Sequence, residues 1–333
     1  MRIDSSVTSV SWIPSEAMTG PMRVPMDIGV GHYDPPPPDH IDEATLDALR
    51  DNDGLRCANR LEAWIEVEED DIVGAGYSGR GIIGSTTARL GVGSVTFPGV
   101  AYPLIQEEPV IERGAARFVQ TAGGRTGAPF PHRIDHVPYV RISGPTAWTT
   151  LALEIAADGS SSYEVVGASP FPRHWIYDET GRLAAKSGVI DFTEWTKVHD
   201  HEHSPWHGVQ REALVAAADT TAERALSRDL MAAGAKIRKL KPDDVLTRQG
   251  EPGDRLYLIL DGVLQVDVDG DVLTEIGPGA IVGERAILER GVRTSTVRAL
   301  TPTRVAVVAA NAVDTDSLTD VAAGHRREEP ERR

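Results

Sequence analysis

The chain has 333 residues, 41% of them hydrophobic, with 50 acidic side chains against 34 basic ones and a net charge of −16. That size holds two ordinary domains, each with its own core, and the acidic balance repels a phosphate backbone, which argues against nucleic acid as a partner. No apolar run approaches the roughly eighteen residues of a membrane helix, the start Met1-Arg2-Ile3-Asp4-Ser5-Ser6 lacks the apolar stretch of a signal peptide, and Cys57 is the single cysteine, so a reducing cytoplasm is the expected compartment.

From the N-terminus, residues 1 to about 198 read as mainly β. Only Ile41 to Asn52 has helical character, introduced by the stiff Pro35-Pro36-Pro37-Pro38 segment. Leu61-Glu62-Ala63-Trp64-Ile65-Glu66-Val67 alternates apolar and polar residues, as does part of Leu151-Ala152-Leu153-Glu154-Ile155, which is the two-residue period of strands. Tyr77-Ser78-Gly79-Arg80-Gly81, Gly123-Gly124-Arg125-Thr126-Gly127 and Ser169-Pro170-Phe171-Pro172-Arg173 interrupt the chain too often for long helices. No solenoid or propeller period is evident. The expectation is a sandwich or barrel of the all-β kind.

Chemistry in this part is harder to name. The Gly123 to Gly127 run offers amides and a cation to an anion, but its spacing is neither a Walker loop nor a dinucleotide fingerprint, and a β-turn is the default. Ser169 to Trp175 gathers aromatic and basic residues, as either a ligand loop or a core anchor would. Glu154, Glu164, Asp178 and Asp191 supply carboxylates without the spacing of an acid–base pair. No catalytic residue is assigned.

The segment Asp200 to Gly208 has loop composition, which places a linker at 199–208 between domains at 1–198 and 209–333. His199, His201, His203 and His207 fall in it, enough imidazoles for zinc or nickel if a strand aligned alternate side chains. A hydrated linker is the simpler account, and no metal is assigned. Glu212 to Ala233 then reads as helix, with Leu214, Val215, Ala218, Ala222, Ala225, Leu226 and Leu230 recurring at threes and fours.

Beyond it, Leu256, Leu258 and Leu260, then Val263, Val266 and Val268, form short apolar runs between Gly and Asp turns, a β-barrel candidate whose edges a jelly roll would hide. Next come Gly283-Glu284-Arg285-Ala286-Ile287-Leu288 and Arg293-Thr294-Ser295-Thr296-Val297. Gly283 turns tightly without a Cβ penalty, and the helix-forming residues after it point several backbone N–H groups outward, a start that attracts one phosphate. Arg293 adds a planar fork of charged donors to the same anion, and Glu284 accepts from a sugar hydroxyl. Phosphate and ribose are both addressed, as in a pocket for a cyclic nucleotide. Leu318, Val321 and Ala322 suggest one last helix, and the tail Arg326-Arg327 to Arg332-Arg333, interrupted by Glu328, Glu329 and Glu331, reads as solvated.

These residues resemble the phosphate-binding cassette of the cyclic nucleotide-binding domain family, which includes bacterial cAMP receptor regulators, regulatory subunits of cAMP-dependent kinase and cyclic-nucleotide-gated channels. Lys241-Pro242-Asp243-Asp244-Val245-Leu246 and Gln249 to Gly262 are similar to the family's early strands and glycine-marked turns, and Ser295 to Val308 to its last strands. The likeness covers about residues 210 to 325. It implies a jelly roll with flanking helices, a lead-in helix that moves on ligand entry, Glu284 on the ribose 2′-hydroxyl, and Arg293 with the amides around Arg285 and Ala286 on the cyclic phosphate.

Two positions bear on ligand choice. The family usually has leucine or isoleucine where this chain has Arg285. A solvent-facing side chain is the favoured account there, ahead of a pair with Glu289 or added charge near the phosphate. Thr294, followed by Ser295, stands where a hydroxyl reaches a guanine amino group, yet bacterial members with hydroxyl residues there use cAMP, so cAMP ranks first and cGMP second. The stretch after Val308 is short for the dimer helix and helix-turn-helix of the bacterial regulators; a short final helix would serve as a truncated lid over the base.

The expected whole is mainly β: an N-terminal β-rich sandwich or barrel, then a C-terminal cyclic-nucleotide-binding jelly-roll β-barrel with flanking helices. The expected function is a cytoplasmic cAMP or cGMP sensor whose C-terminal domain regulates an N-terminal output or partner-binding domain. It has no covalent cofactor, no membrane partner and no nucleic-acid partner. The alternatives are a nucleotide-regulated enzyme with its active site in the N-terminal domain, and an adaptor whose cassette binds nothing. A protein partner for the N-terminal domain and a homo-oligomer both stay open.

Overall fold

A computed structural model describes residues 1–14, 24–27, 31, 33–90, 93–127, 130–133, 137, 139–187, 192, 195, 204–213, 215–217, 223, 226, 230, 235–289, 291–309, 313 and 315–325. It is built mainly of antiparallel strands. The chain divides into two compact units, Met1–Ala185 with Ile190–Ala213, and Lys186–Val189 with Leu214–Arg333. No helix among the described residues is long and apolar enough to cross a membrane.

The first unit opens with β1 (Arg2–Trp12), α1 (Val24–Asp27) and α2 (Glu43–Asp51). Helix α2 starts at Asp42, whose carboxylate accepts the Thr45 N–H at 2.7 Å and so satisfies one of the four amides that a helix start leaves open. Then follow β2 (Cys57–Glu68), β3 (Asp71–Tyr77), β4 (Arg80–Ile83), β5 (Thr86–Leu90) and β6 (Gly93–Phe97). Three short strands, β7 (Val100–Ala101), β8 (Ile105–Gln106) and β9 (Val110–Glu112), precede β10 (Ala115–Arg125), β11 (Phe130–Arg133), β12 (Val140–Ser143), β13 (Thr146–Ala156), β14 (Ser161–Ala168), β15 (Arg173–Tyr177) and β16 (Leu183–Ser187).

One sheet runs β15-β1-β2-β3, with β4 also on β2, and the other runs β14-β13-β10, with β7, β8 and β9 along the far edge of β10. They form the expected sandwich. A polar band crosses an interior otherwise filled by Leu61, Ile65, Phe118 and Leu151: Asn59 donates to the carbonyls of Gln120 at 3.1 Å and Thr149 at 2.9 Å, Gln120 donates back to Asn59 Oδ1 at 2.8 Å, and the Ser9 and Thr149 hydroxyls lie 2.6 Å apart. On the opposite face of the first sheet Val10, Trp12, Trp175 and Tyr177 pack with Leu46 of α2 in an apolar cluster.

Several expectations change here. The Gly123 to Gly127 run is neither a turn nor an anion loop at its start, because Gly123, Gly124 and Arg125 complete β10. A Cβ on Gly123 would collide with the Ala147 carbonyl and one on Gly124 with the Val100 carbonyl, so close strand approach accounts for both glycines. Ser169 to Trp175 is a core anchor, with Phe171 fully buried and its ring 4.8 Å from that of Trp195. Glu154 is exposed, Glu164 pairs with Arg117 at 3.0 Å, and Asp178 closes a turn by accepting the N–H groups of Thr180 and Arg182; Asp191 lies outside the described residues. So do His199, His201 and His203, while His207 is exposed at the end of a one-turn helix, Pro205–His207.

The second unit contains β17 (Val215–Ala217), β18 (Lys236–Leu240), β19 (Val245–Thr247), β20 (Arg255–Asp261), β21 (Leu264–Val268), β22 (Asp271–Ile276), β23 (Ile281–Val282), α3 (Glu284–Leu288), β24 (Thr296–Ala299), β25 (Thr303–Ala309) and α4 (Thr315–His325). Its two sheets run β18-β25-β20-β23 and β19-β24-β21-β22. Tyr257, Ile259, Leu264, Val297 and Val305 share one cluster, while Leu256, Leu258, Leu260 and Ile281 pack with Leu226, Leu230, Leu318 and Val321 in another. Strand β20 is buried on both faces, which is why Leu256 to Leu260 is unbroken apolar sequence instead of an alternating one. The helix expected from Glu212 begins later, since Val215–Ala217 is a strand whose ladder overrides the helical bias of its alanines. Glu223, Leu226 and Leu230 are helical, and most of the remaining stretch lies outside the described residues.

Candidate functional site

The backbone around Arg293 is held against the turn at 250–253. Arg293 donates its N–H to the Glu251 carbonyl at 2.8 Å and accepts the Gly250 N–H at 2.9 Å, while Gly253 donates to the Gly291 carbonyl at 2.8 Å. A bridge between Pro252 and Val292 completes the pairing. Arg293 thus sits just before β24 with its side chain directed inward, only 6% exposed.

The partners of that side chain are neutral. Nη2 donates to the Arg255 carbonyl at 3.0 Å, Nη1 donates to the Gly283 carbonyl at 3.4 Å, and Cζ lies 5.4 Å from the Tyr257 ring centroid. Among the described residues no carboxylate pairs with it. A guanidinium has five N–H donors in a rigid fork, and a buried charge is costly unless an opposite charge meets it. The Tyr257 ring offsets part of that cost, on the order of 1 kcal/mol. An anion offset from the carbonyls and facing the remaining donors is the chemistry that suits the place.

Two glycines make room for the guanidinium. Gly283 has φ 98° and caps the start of α3, a left-handed conformation that L side chains resist; a Cβ there would strike Arg293 Nη1 and the Arg255 carbonyl. A Cβ on Gly253 would fall on Arg293 Nε and Cζ. The arginine occupies its position only because both neighbours lack side chains.

Of the residues singled out from sequence, Gly283 and Arg293 are in direct contact. Glu284, 4% exposed, and Ala286, 1% exposed, are buried on α3. Arg285 is half-buried. Thr294 and Ser295 are also half-buried, and the Ser295 carbonyl accepts the Thr247 hydroxyl at 3.4 Å. Sequence reasoning missed Gly253 as the second space-maker, Tyr257 beneath the guanidinium, and Glu223. The last is 3% exposed and its Oε1 accepts the Ile281 N–H at 3.0 Å. Helical periodicity marked Glu223 as one more polar position and held no signal that it would be buried.

Comparison with known proteins bears on the same stretch. Residues 237–315 match the family described as "Cyclic nucleotide-binding domain". Over 61 residues the chain is 43% identical to the cGMP-dependent protein kinase egl-4 of Caenorhabditis elegans, a match spanning 18% of this chain and 8% of the kinase. Over 97 residues it is 34% identical to the CRP-like cAMP-activated global transcriptional regulator of Mycobacterium tuberculosis, spanning 26% of this chain and 41% of that protein. Among solved structures, the N-terminal domain of a transcriptional regulator from Streptomyces coelicolor A3(2) is similar at 26% identity and TM-score 0.26, covering 31% of this chain and 81% of that one. Residues 237–315 are a cyclic nucleotide-binding domain, and residues 1–236 lie outside the match.

Proposed function

We propose that this protein is a cyclic-nucleotide sensor that binds cAMP, and cGMP second, through Gly283 to Ala286 and Arg293 to Ser295. The observation that carries the reading is Arg293, a buried cation held by neutral carbonyls, with the family match over the same residues. In this assignment Arg293 and the amides of Arg285 and Ala286 take the cyclic phosphate, Glu284 takes the ribose 2′-hydroxyl, and the hydroxyls of Thr294 and Ser295 face the base side. The kinase and regulator that share this stretch are named for cGMP and cAMP respectively, so both nucleotides are tested. The first unit is proposed as the output or partner-binding part of the sensor. For it to respond, nucleotide must bind two arrangements of the protein with different affinity.

Calorimetric titration of nucleotide-stripped protein with cAMP and cGMP, beside Arg293→Ala, tests the pocket. Saturable binding is expected, weakened by about 2 to 5 kcal/mol in the variant, the usual cost of truncating one partner of a desolvated charge pair. Equal affinity in wild type and variant would remove Arg293 from the site, and no binding of either nucleotide by folded wild type would remove the sensor.

A further inference from the structure

We infer that Glu223 is a positioning residue for the nucleotide site, holding the strand that delivers Gly283. The inference rests on the pocket proposed above and adds a component outside residues 283–295. Glu223 Oε1 accepts the backbone N–H of Ile281 at 3.0 Å, and both residues are buried, at 3% and 0% exposure. Ile281 pairs with Leu258 in the two-residue strand β23, and Gly283 follows two residues later. The Gly283 carbonyl in turn accepts Arg293 Nη1 at 3.4 Å. One short covalent and hydrogen-bonded path therefore runs from a helical carboxylate to the guanidinium.

Glu223 is 3% exposed, and its carboxyl group is the acceptor of the Ile281 amide inside that enclosure. Leu226 and Leu230, three and seven positions on, pack in the same cluster as Ile281, Leu256 and Leu258, so the helical face that carries Glu223 is seated where the bond is made. Strand β23 pairs over two residues, and just before it Ile259 donates to the Ala280 carbonyl at 3.0 Å. If the helix withdraws, the Ile281 N–H loses its acceptor inside the protein, and the entry to Gly283 loosens with it. By linkage, the factor that the Glu223 bond contributes to nucleotide affinity is the factor by which nucleotide strengthens that bond.

The test measures cAMP and cGMP affinity by calorimetry and Ile281 amide hydrogen exchange, with and without nucleotide, in full-length wild type, Glu223→Gln and Glu223→Ala. Glu223→Ala is expected to bind about tenfold more weakly, within the usual range of site coupling. Glu223→Gln, which keeps an acceptor oxygen, is expected to stay within about threefold of wild type on the same scale. Nucleotide should slow exchange at Ile281 in wild type and Glu223→Gln and not in Glu223→Ala. Wild type that binds nucleotide while Ile281 exchange stays unchanged overturns the inference without any variant, so a Glu223→Ala protein that fails to fold does not shield it. Equal affinity in all three proteins overturns it as well. Wild type that binds neither nucleotide overturns the pocket itself, and the role of Glu223 in it.

Discussion

At Gly283 the backbone stands at φ 98° and the space where a Cβ would be is taken by Arg293 and the Arg255 carbonyl. Gly250 has φ 84° and nothing within 4 Å of its own hypothetical Cβ. The pair separates two costs that glycine substitutions usually mix. Gly250→Ala meets only backbone strain, on the order of 1 to 3 kcal/mol, whereas Gly283→Ala adds displacement of the guanidinium. Both variants are expected to lower the melting temperature. Only Gly283→Ala is expected to lose nucleotide affinity, by about tenfold or more, because it displaces Arg293. Calorimetry on the two purified variants checks this, and equal affinities would separate Gly283 from the site.

Among elements, the neighbouring strands β2, β1 and β15 carry a buried relay with a pH signature. The Cys57 thiol lies 3.1 Å from Ser11 Oγ, Ser11 Oγ lies 2.7 Å from His174 Nδ1, and His174 Nε2 lies 2.9 Å from the Ser169 carbonyl. The carbonyl can only accept, so Nε2 carries a proton, and burial of the ring disfavours a second one on Nδ1. Burial lowers the His174 pKa from 6.5 to about 4, and burial likewise pushes the Cys57 thiol up to about 12. Between pH 6.5 and 4 the unfolded chain takes up a proton that the folded chain refuses, so this contribution is full above 6.5 and falls away as pH drops. The loss amounts to about 3 kcal/mol at its limit. Urea unfolding at pH 7 and at pH 4.5 should show a steeper loss in wild type than in His174→Gln; parallel losses would mean that the ring is not held neutral. The polar band inside the sandwich explains what was hard to see in the sequence. In the second unit, β20 announced itself because leucine and isoleucine fill both faces, and the Gly-Asp turns around it are turns in the structure. In β1, Ser9 and Ser11 share the interior face with Val7 while Val10 and Trp12 pack on the other face, so hydrophobic alternation is absent where burial is complete. Glycines 123 and 124 misled for a related reason: a position emptied for a neighbouring backbone and a position emptied for a phosphate leave the same residue behind.

For the whole molecule, the question is whether occupancy of the second unit is felt by the first. The two are separately compact, and each has its own core clusters, so each is able to report its own unfolding. A ligand that binds only the folded second unit stabilises it by about 2.7 kcal/mol at a hundred times its dissociation constant, which for a unit of this size is roughly a 10 °C rise in its transition. That shift is required by the pocket alone. A sensor whose output lies in the first unit requires more, because coupling between sites is a free energy that must appear at both ends. Saturating cAMP or cGMP is therefore expected to move both transitions in a calorimetric scan of the wild-type chain, the second unit's strongly and the first unit's by a smaller amount, and to move both less at the same nucleotide concentration in Arg293→Ala. A scan in which only the second unit responds would keep the nucleotide pocket and overturn the output role of the sandwich, because a signal that leaves the first unit's stability and structure unchanged has no route through it.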